Sequence, residues 1–213
     1  MADRPILFSG PMVRAILEGH KTVTRRPVRI SHKTPGLAAC LLPTIGDPRP
    51  NVAAELCPYG QPGDRLWVRE TWLPDPDADD PAWDSSADTY FSWSGCGCRI
   101  DAVPEALRTP EQCIYREGWS GGEMTWRPSI HMPRWASRIL LEISSVQVER
   151  LQDITEPQAL AEGVLSAERD IDPDGHGYSP CELFGGLWTM INGMDSWNAN
   201  PWVWVVEFKR VEP

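Results

Sequence analysis

Proline and glycine recur 21 and 17 times in 213 residues, and they cut the chain into short patterned segments separated by irregular ones. Residues 5–8 read as a strand, after which Ser9-Gly10-Pro11 opens a helix with proline in its first turn. Met12, Val13, Ile16 and Leu17 share one face of that helix before Gly19 stops it, so residues 21–26 must follow as an extended or turning segment. Pro62-Gly63-Asp64 turns into residues 65–70, a half-buried strand with Leu66 and Val68 on one face and Arg65, Trp67 and Arg69 on the other. Residues 135–150 return to strand character, with a hairpin expected through Ile143-Ser144-Ser145. Thr155 and Gln158 have the spacing of a capping box, which introduces a short helix ending at Gly163 with Glu162 in its last turn. Residues 181–192 suggest another helix, and the tryptophan-rich, β-branched run 201–208 closes the chain as a strand. The stretches near 31–62, 73–130 and 164–182 read as insertions in a single domain covering 1–213. Several strands, two or three short helices and long loops make an α+β domain around a small, strongly curved or closed sheet.

Composition narrows the function classes. An apolar share of 41% with 23% charged residues is that of a globular chain and excludes disordered, collagen-like and coiled-coil proteins. No run approaches the 18 apolar residues of a membrane span, and the N-terminus holds only a three-residue apolar patch, so the expected compartment is the cytoplasm. No repeat of 20 to 50 residues is visible, which sets aside solenoids and propellers. A net charge of −10 disfavours coating of duplex nucleic acid by bulk electrostatics, while a nucleotide or single strand in a local basic pocket stays compatible with it. The charge is segregated: residues 1–30 carry six basic side chains against Asp3 and Glu18, whereas residues 73–88 carry six aspartates and no base. Of six cysteines the only close pair is Cys96-Gly97-Cys98, unlike the two clear pairs of a structural zinc site, so reduced thiols and no metal are expected.

The most informative stretch is Gly19-His20-Lys21-Thr22-Val23-Thr24-Arg25-Arg26. In an extended segment Lys21, Val23 and Arg25 face one way while Thr22, Thr24 and Arg26 face the other, so a turn or bulge is needed to bring Lys21 to Thr24. If they meet, Thr24 can serve as a nucleophile with Lys21 as its base, or Lys21 can hold an anion, and either role calls for a lowered Lys21 pKa. The bland alternative is a solvated basic segment.

The pattern Gly19-x-Lys21-x-x-Thr24-x-Arg26 resembles the signature of the ASCH domain family, within the PUA-like superfamily of small β-barrels associated with RNA and modified nucleosides. The helix leading to Ala161-Glu162-Gly163 and the strand Asn200-Pro201-Trp202-Val203-Trp204 look like that family's later motifs. Further matches at 5–8, 63–72 and 129–138 resemble a larger subgroup encoded by bacteriophages and prophages, whose compartment would be the bacterial host cytoplasm. The resemblance implies a PUA-like barrel with a ligand pocket at one mouth. It also implies amidohydrolase chemistry of the kind that removes the acetyl group from N(4)-acetylcytidine, with Thr24 as nucleophile, Lys21 as base and Glu162 in support, and with no cofactor. Arg26 would hold a phosphate or stabilise developing negative charge. Trp67, Trp72, Trp135 and Trp202 are candidates to stack a base, with at least two of them expected in the core. Arg69 and Arg134 are candidate ligand contacts, and His131 reads as a structural histidine. The expected partner is a modified nucleoside or nucleotide, or a single strand of RNA or DNA. The competing readings are a non-catalytic reader of modified bases and a ribonuclease.

Overall fold

The computed structural model describes residues 3–29, 55–75, 100 and 103–212, and the Cys96/Cys98 pair lies outside them. Strand β1 (Asp3–Leu7) runs into helix α1 (Gly10–Leu17), which starts at extended Ser9 with Pro11 in its first turn and buries Met12, Val13, Ala15 and Ile16. Gly19, at φ 78°, turns the chain back so that the N–H groups of His20 and Lys21 both donate to Ala15 O. Strand β2 (Val23–Pro27) follows, and then β3 (Arg65–Arg69), on which Leu66 and Val68 are fully buried as their alternation requires.

Strands β4 (Trp72–Pro74) and β5 (Cys113–Tyr115) pair in a separate two-stranded sheet. The described end of the 73–130 stretch is therefore folded onto the domain, with Trp72, Cys113, Tyr115, Met132 and Ala136 in one apolar cluster. Strand β6 (Leu140–Arg150) leads through helices α2 (Glu156–Ala161), α3 (Glu168–Ile171) and α4 (Pro180–Asn192) to β7 (Trp202–Val211). The expected hairpin through Ile143-Ser144-Ser145 is absent: β6 continues unbroken, with its register against β7 shifting between Ile143 and Ser145. A bulge, which bends a strand without ending it, produces the same local polar interruption that a turn would.

The main sheet has the order β1-β3-β6-β7-β2, with β1 parallel to β3 and every other neighbour antiparallel. The domain is α+β, as the sequence suggests, but the sheet is open: β1 and β2 are its edges, and no ladder joins them among the described residues, so the expected closed barrel is corrected. One cluster, including Phe8, Met12, Leu66, Leu141, Trp204 and Phe208, joins the sheet to α1. A second, including Val23, Ile154, Leu183, Phe184, Trp188 and Val205, joins it to α2 and α4. The capping box expected at Thr155 and Gln158 is formed, and Ser179 with Glu182 makes another at the start of α4. Among the described residues no helix is long and apolar enough to cross a membrane.

Candidate functional site

Although β1 and β2 are opposite edges of the sheet, they come together at one end, where Arg26 Nη2 donates to Leu7 O at 2.6 Å. Beside this bridge lies a cavity of about 300 Å³. Lys21, Thr24, Arg26 and Glu162 all line it, with Phe8 from the end of β1 and Trp188 from α4.

Local structure explains how each arrives. Lys21 precedes β2 rather than belonging to it, so the strand alternation that would separate it from Thr24 does not apply. The neighbouring backbone is pinned from two sides: Thr22 N–H donates to Ala161 O at 2.9 Å, and Phe208 N–H donates to Thr22 O at 2.9 Å. Glu162 is the C-cap of α2, and Gly163 follows at φ 78°. A methyl group on Gly163 would stand 2.7 Å from Ala15 Cβ and 3.0 Å from Lys21 Cβ, so glycine is needed here for conformation and for close approach.

Lys21 and Glu162 are each 4% exposed. The Lys21 ammonium donates to Glu162 Oε2 at 2.7 Å, to Glu162 O at 2.8 Å and to Val23 O at 2.7 Å. Burial pulls the Lys21 pKa below the ordinary lysine value; the Glu162 carboxylate opposes this, and the charges of Arg26 and Arg25 add to it. Its three N–H bonds are thus committed to three oxygens, none of them on Thr24. Lys21 and Thr24 meet in the sense that both line the cavity, but no hydrogen bond joins them.

Arg26 stacks over Phe8 at 5.2 Å, on a ring that also lies 5.4 Å from Lys21 Nζ. Its Nε is buried without a hydrogen-bond partner, and burial depresses its pKa. Arg25, read from the sequence only as a neighbouring charge, ties this site to Glu149, a residue the sequence did not single out. Arg25 donates to Glu162 Oε1 at 3.3 Å and to Glu149 Oε1 at 2.5 Å, with its guanidinium 5.9 Å from the Phe184 ring. Arg25 sits inside the basic run that drew attention, but Glu149 carries no local signal, because its partner is 124 residues away.

The remaining expected contacts are elsewhere. Trp67 and Trp72 are core, Trp135 packs edge-on against Trp72 at 5.5 Å, and Arg150 stacks over Trp202 at 4.4 Å. Arg69 stacks on Trp67 at 4.7 Å, and Arg134 pairs with Asp3 at 3.2 Å. None of these six, nor exposed His131, lines the cavity. The described parts of the three insertions do not line it either, whereas Phe184, Leu187, Trp188 and Ile191 of α4 do. Among the described residues no group of three or more His, Cys, Asp or Glu side chains is placed to hold a metal, and Cys57, Cys113 and Cys181 are free thiols. Comparison with protein-family models, with curated proteins and with solved structures finds no match to this chain.

Proposed function

We propose that this is an ASCH-type, PUA-like protein that hydrolyses the acyl group from the exocyclic amine of a modified pyrimidine nucleoside or nucleotide, in the manner of an N(4)-acetylcytidine amidohydrolase. The observation that carries this reading is the convergence of Lys21, Thr24, Arg26 and Glu162, taken from two distant motifs, on one cavity of about 300 Å³. That volume lies at the small end of ligand sites and suits a monomer better than a folded nucleic acid.

In this reading the Thr24 hydroxyl oxygen attacks the acyl carbonyl carbon while its proton passes to the neutral Lys21 amine. The C–N bond then breaks, and the Lys21 ammonium returns the proton to the departing cytosine amine. Water cleaves the acyl-threonine ester, releasing the carboxylic acid and restoring Thr24. Burial favours the neutral amine that the first step needs. Loss of one proton leaves two N–H donors for three acceptors, so the amine gives up one of these oxygens and turns its lone pair to the Thr24 hydroxyl. Glu162 holds the amine throughout, and Arg26 faces the negative charge of the substrate or of the tetrahedral oxygen.

One observation favours a second reading, a binder of modified bases that does not turn them over: the Lys21 ammonium is fully satisfied without Thr24. A chromatographic assay with acetylated cytidine and its nucleotides separates the two. Release of cytidine that Lys21→Ala and Glu162→Ala both abolish is expected. Absence of turnover, with binding still lost in Lys21→Ala, overturns the hydrolase and leaves the reader.

A further inference from the structure

An ordered chain of charges runs from the cavity to the surface: Lys21, Glu162, Arg25, Glu149, alternating in sign. One Glu162 oxygen takes Lys21 at 2.7 Å, the other takes Arg25 at 3.3 Å, and the far side of Arg25 is held by Glu149. The first three side chains are sealed from solvent, while Glu149 is 22% exposed. Arg25 is not part of the Gly-x-Lys-x-x-Thr-x-Arg pattern, and Glu149 lies on a different strand, β6.

Such a chain does more than satisfy its members. Charges separated by a few ångströms away from water are strongly coupled, so the neighbouring charges bear on the proton affinity of Lys21. Facing Lys21 are Glu162 from the end of α2 and Arg25 and Arg26 from β2, with Glu149 of β6 acting through Arg25 and Tyr59 beside Arg26. His20, the preceding residue, is exposed and pairs with Glu18. Among the described residues Glu162 is the sole anion touching Lys21, and it is shared with Arg25, whose own charge is countered by Glu149.

We propose that Arg25 and Glu149 are positioning residues for Lys21: Arg25 fixes the Glu162 carboxylate beside the amine, and Glu149 offsets the positive field of Arg25, so that the pair together sets how readily Lys21 gives up its proton. Arg25 lines the cavity, whereas Glu149 does not, so Glu149 can act on Lys21 only through Arg25. The consequence for turnover rests on the amidohydrolase reading; the effect on Lys21 itself does not.

The chain contains three lysines, Lys21, Lys33 and Lys209, so a sample labelled with carbon-13 at the lysine ε position gives three resonances that titrate individually. In the full chain, Glu149→Gln removes a negative charge and moves the Lys21 titration to lower pH than in the wild type. Arg25→Gln removes a positive charge and moves it to higher pH, while Lys209, paired with Glu142, stays in place in both. A purely structural role predicts a different pattern, because loosening either contact rehydrates Lys21 and moves both variants up towards the ordinary lysine value. Arg25→Gln is the harsher change, since it strips two carboxylates of a partner, but Glu149→Gln at the partly exposed end decides by sign alone. A Lys21 titration that rises or does not move in Glu149→Gln overturns the proposal. If acylated cytidine is hydrolysed, the acid limb of the rate profile shifts with the resonance; if it is not, the resonance still answers, so failure of the hydrolase and failure of this coupling are read separately.

Discussion

Gly163→Ala tests how the site is held together, because this glycine joins the end of α2 to α1 and to Lys21. Its φ of 78° costs an alanine about 1–2 kcal/mol. The new methyl would also sit 2.7 Å from Ala15 Cβ and 3.0 Å from Lys21 Cβ, overpacking that costs about 1–3 kcal/mol. Lower entropy of the unfolded chain offsets about 0.4–1 kcal/mol of this. The net loss is about 3 kcal/mol, or a fall in Tm of roughly 6–12 °C for a domain of this size. Gly175→Ala is the control: its φ is 70°, but nothing lies within 4 Å of the added methyl, so only the backbone cost of about 1 kcal/mol applies. Urea and thermal unfolding of both variants isolate the contact. Equal losses in the two proteins would refute the argument that Gly163 is required by its approach to Ala15 and Lys21.

The pH dependence of stability carries a second signature. Because burial holds Lys21 below its ordinary 10.5, the unfolded chain binds this proton more tightly, and the Lys21 contribution to stability rises with pH from the depressed folded value up to 10.5. The buried groups Cys57, Cys113, Tyr59 and Tyr115, all pushed up by burial, act in the opposite sense, so the effect is read as the difference between wild type and Lys21→Met in alkaline urea titrations. Arg138→Met removes both donors from the buried Glu70 carboxylate, bonded at 2.9 and 2.8 Å, and destabilises by about 3 kcal/mol at neutral pH. Burial raises the Glu70 pKa, so that loss shrinks as acid protonates the carboxylate, a trend that denaturant unfolding follows directly. Ile191→Ser, at a cavity-lining side chain that is 59% exposed, leaves stability within about 0.5 kcal/mol, and the proposed function has it weaken binding of acetylated cytidine about tenfold in calorimetric titration.

What could be read from the residues was whatever depends on near neighbours. The alternation of Leu66 and Val68, the Thr155–Gln158 cap and the β-branched run from Trp202 are local devices, and each forms an element close to where the spacing puts it. The β6 bulge was misread because Ser144-Ser145 looks alike in a turn and in an interrupted strand, and only the partner β7 distinguishes them. Strands β4 and β5, three residues each, are too short for a period to register. At the site, Lys21, Thr24, Arg26 and Glu162 could be named from their motifs and Arg25 as a charge beside Lys21, whereas the pairing of Arg25 with Glu149 could not, since a salt bridge across a sheet leaves no trace in sequence spacing.

The difference between the expected barrel and the observed open sheet is the same feature as the cavity. Closing the sheet would require β1 and β2 to exchange backbone hydrogen bonds along their free edges. Instead, at one end of these edges a side chain makes a link: Arg26 Nη2 on Leu7 O. A backbone ladder spaces strands at about 4.8 Å, too close to admit a ligand between them, whereas a guanidinium on a long stem holds the edges near each other and leaves room beside it. Phe8, lying just after β1, then offers its ring to both Lys21 and Arg26, so the end of one edge strand supports the cations introduced by the other. The basic, aromatic and acidic walls of the cavity thus follow from leaving one seam of the sheet unsewn.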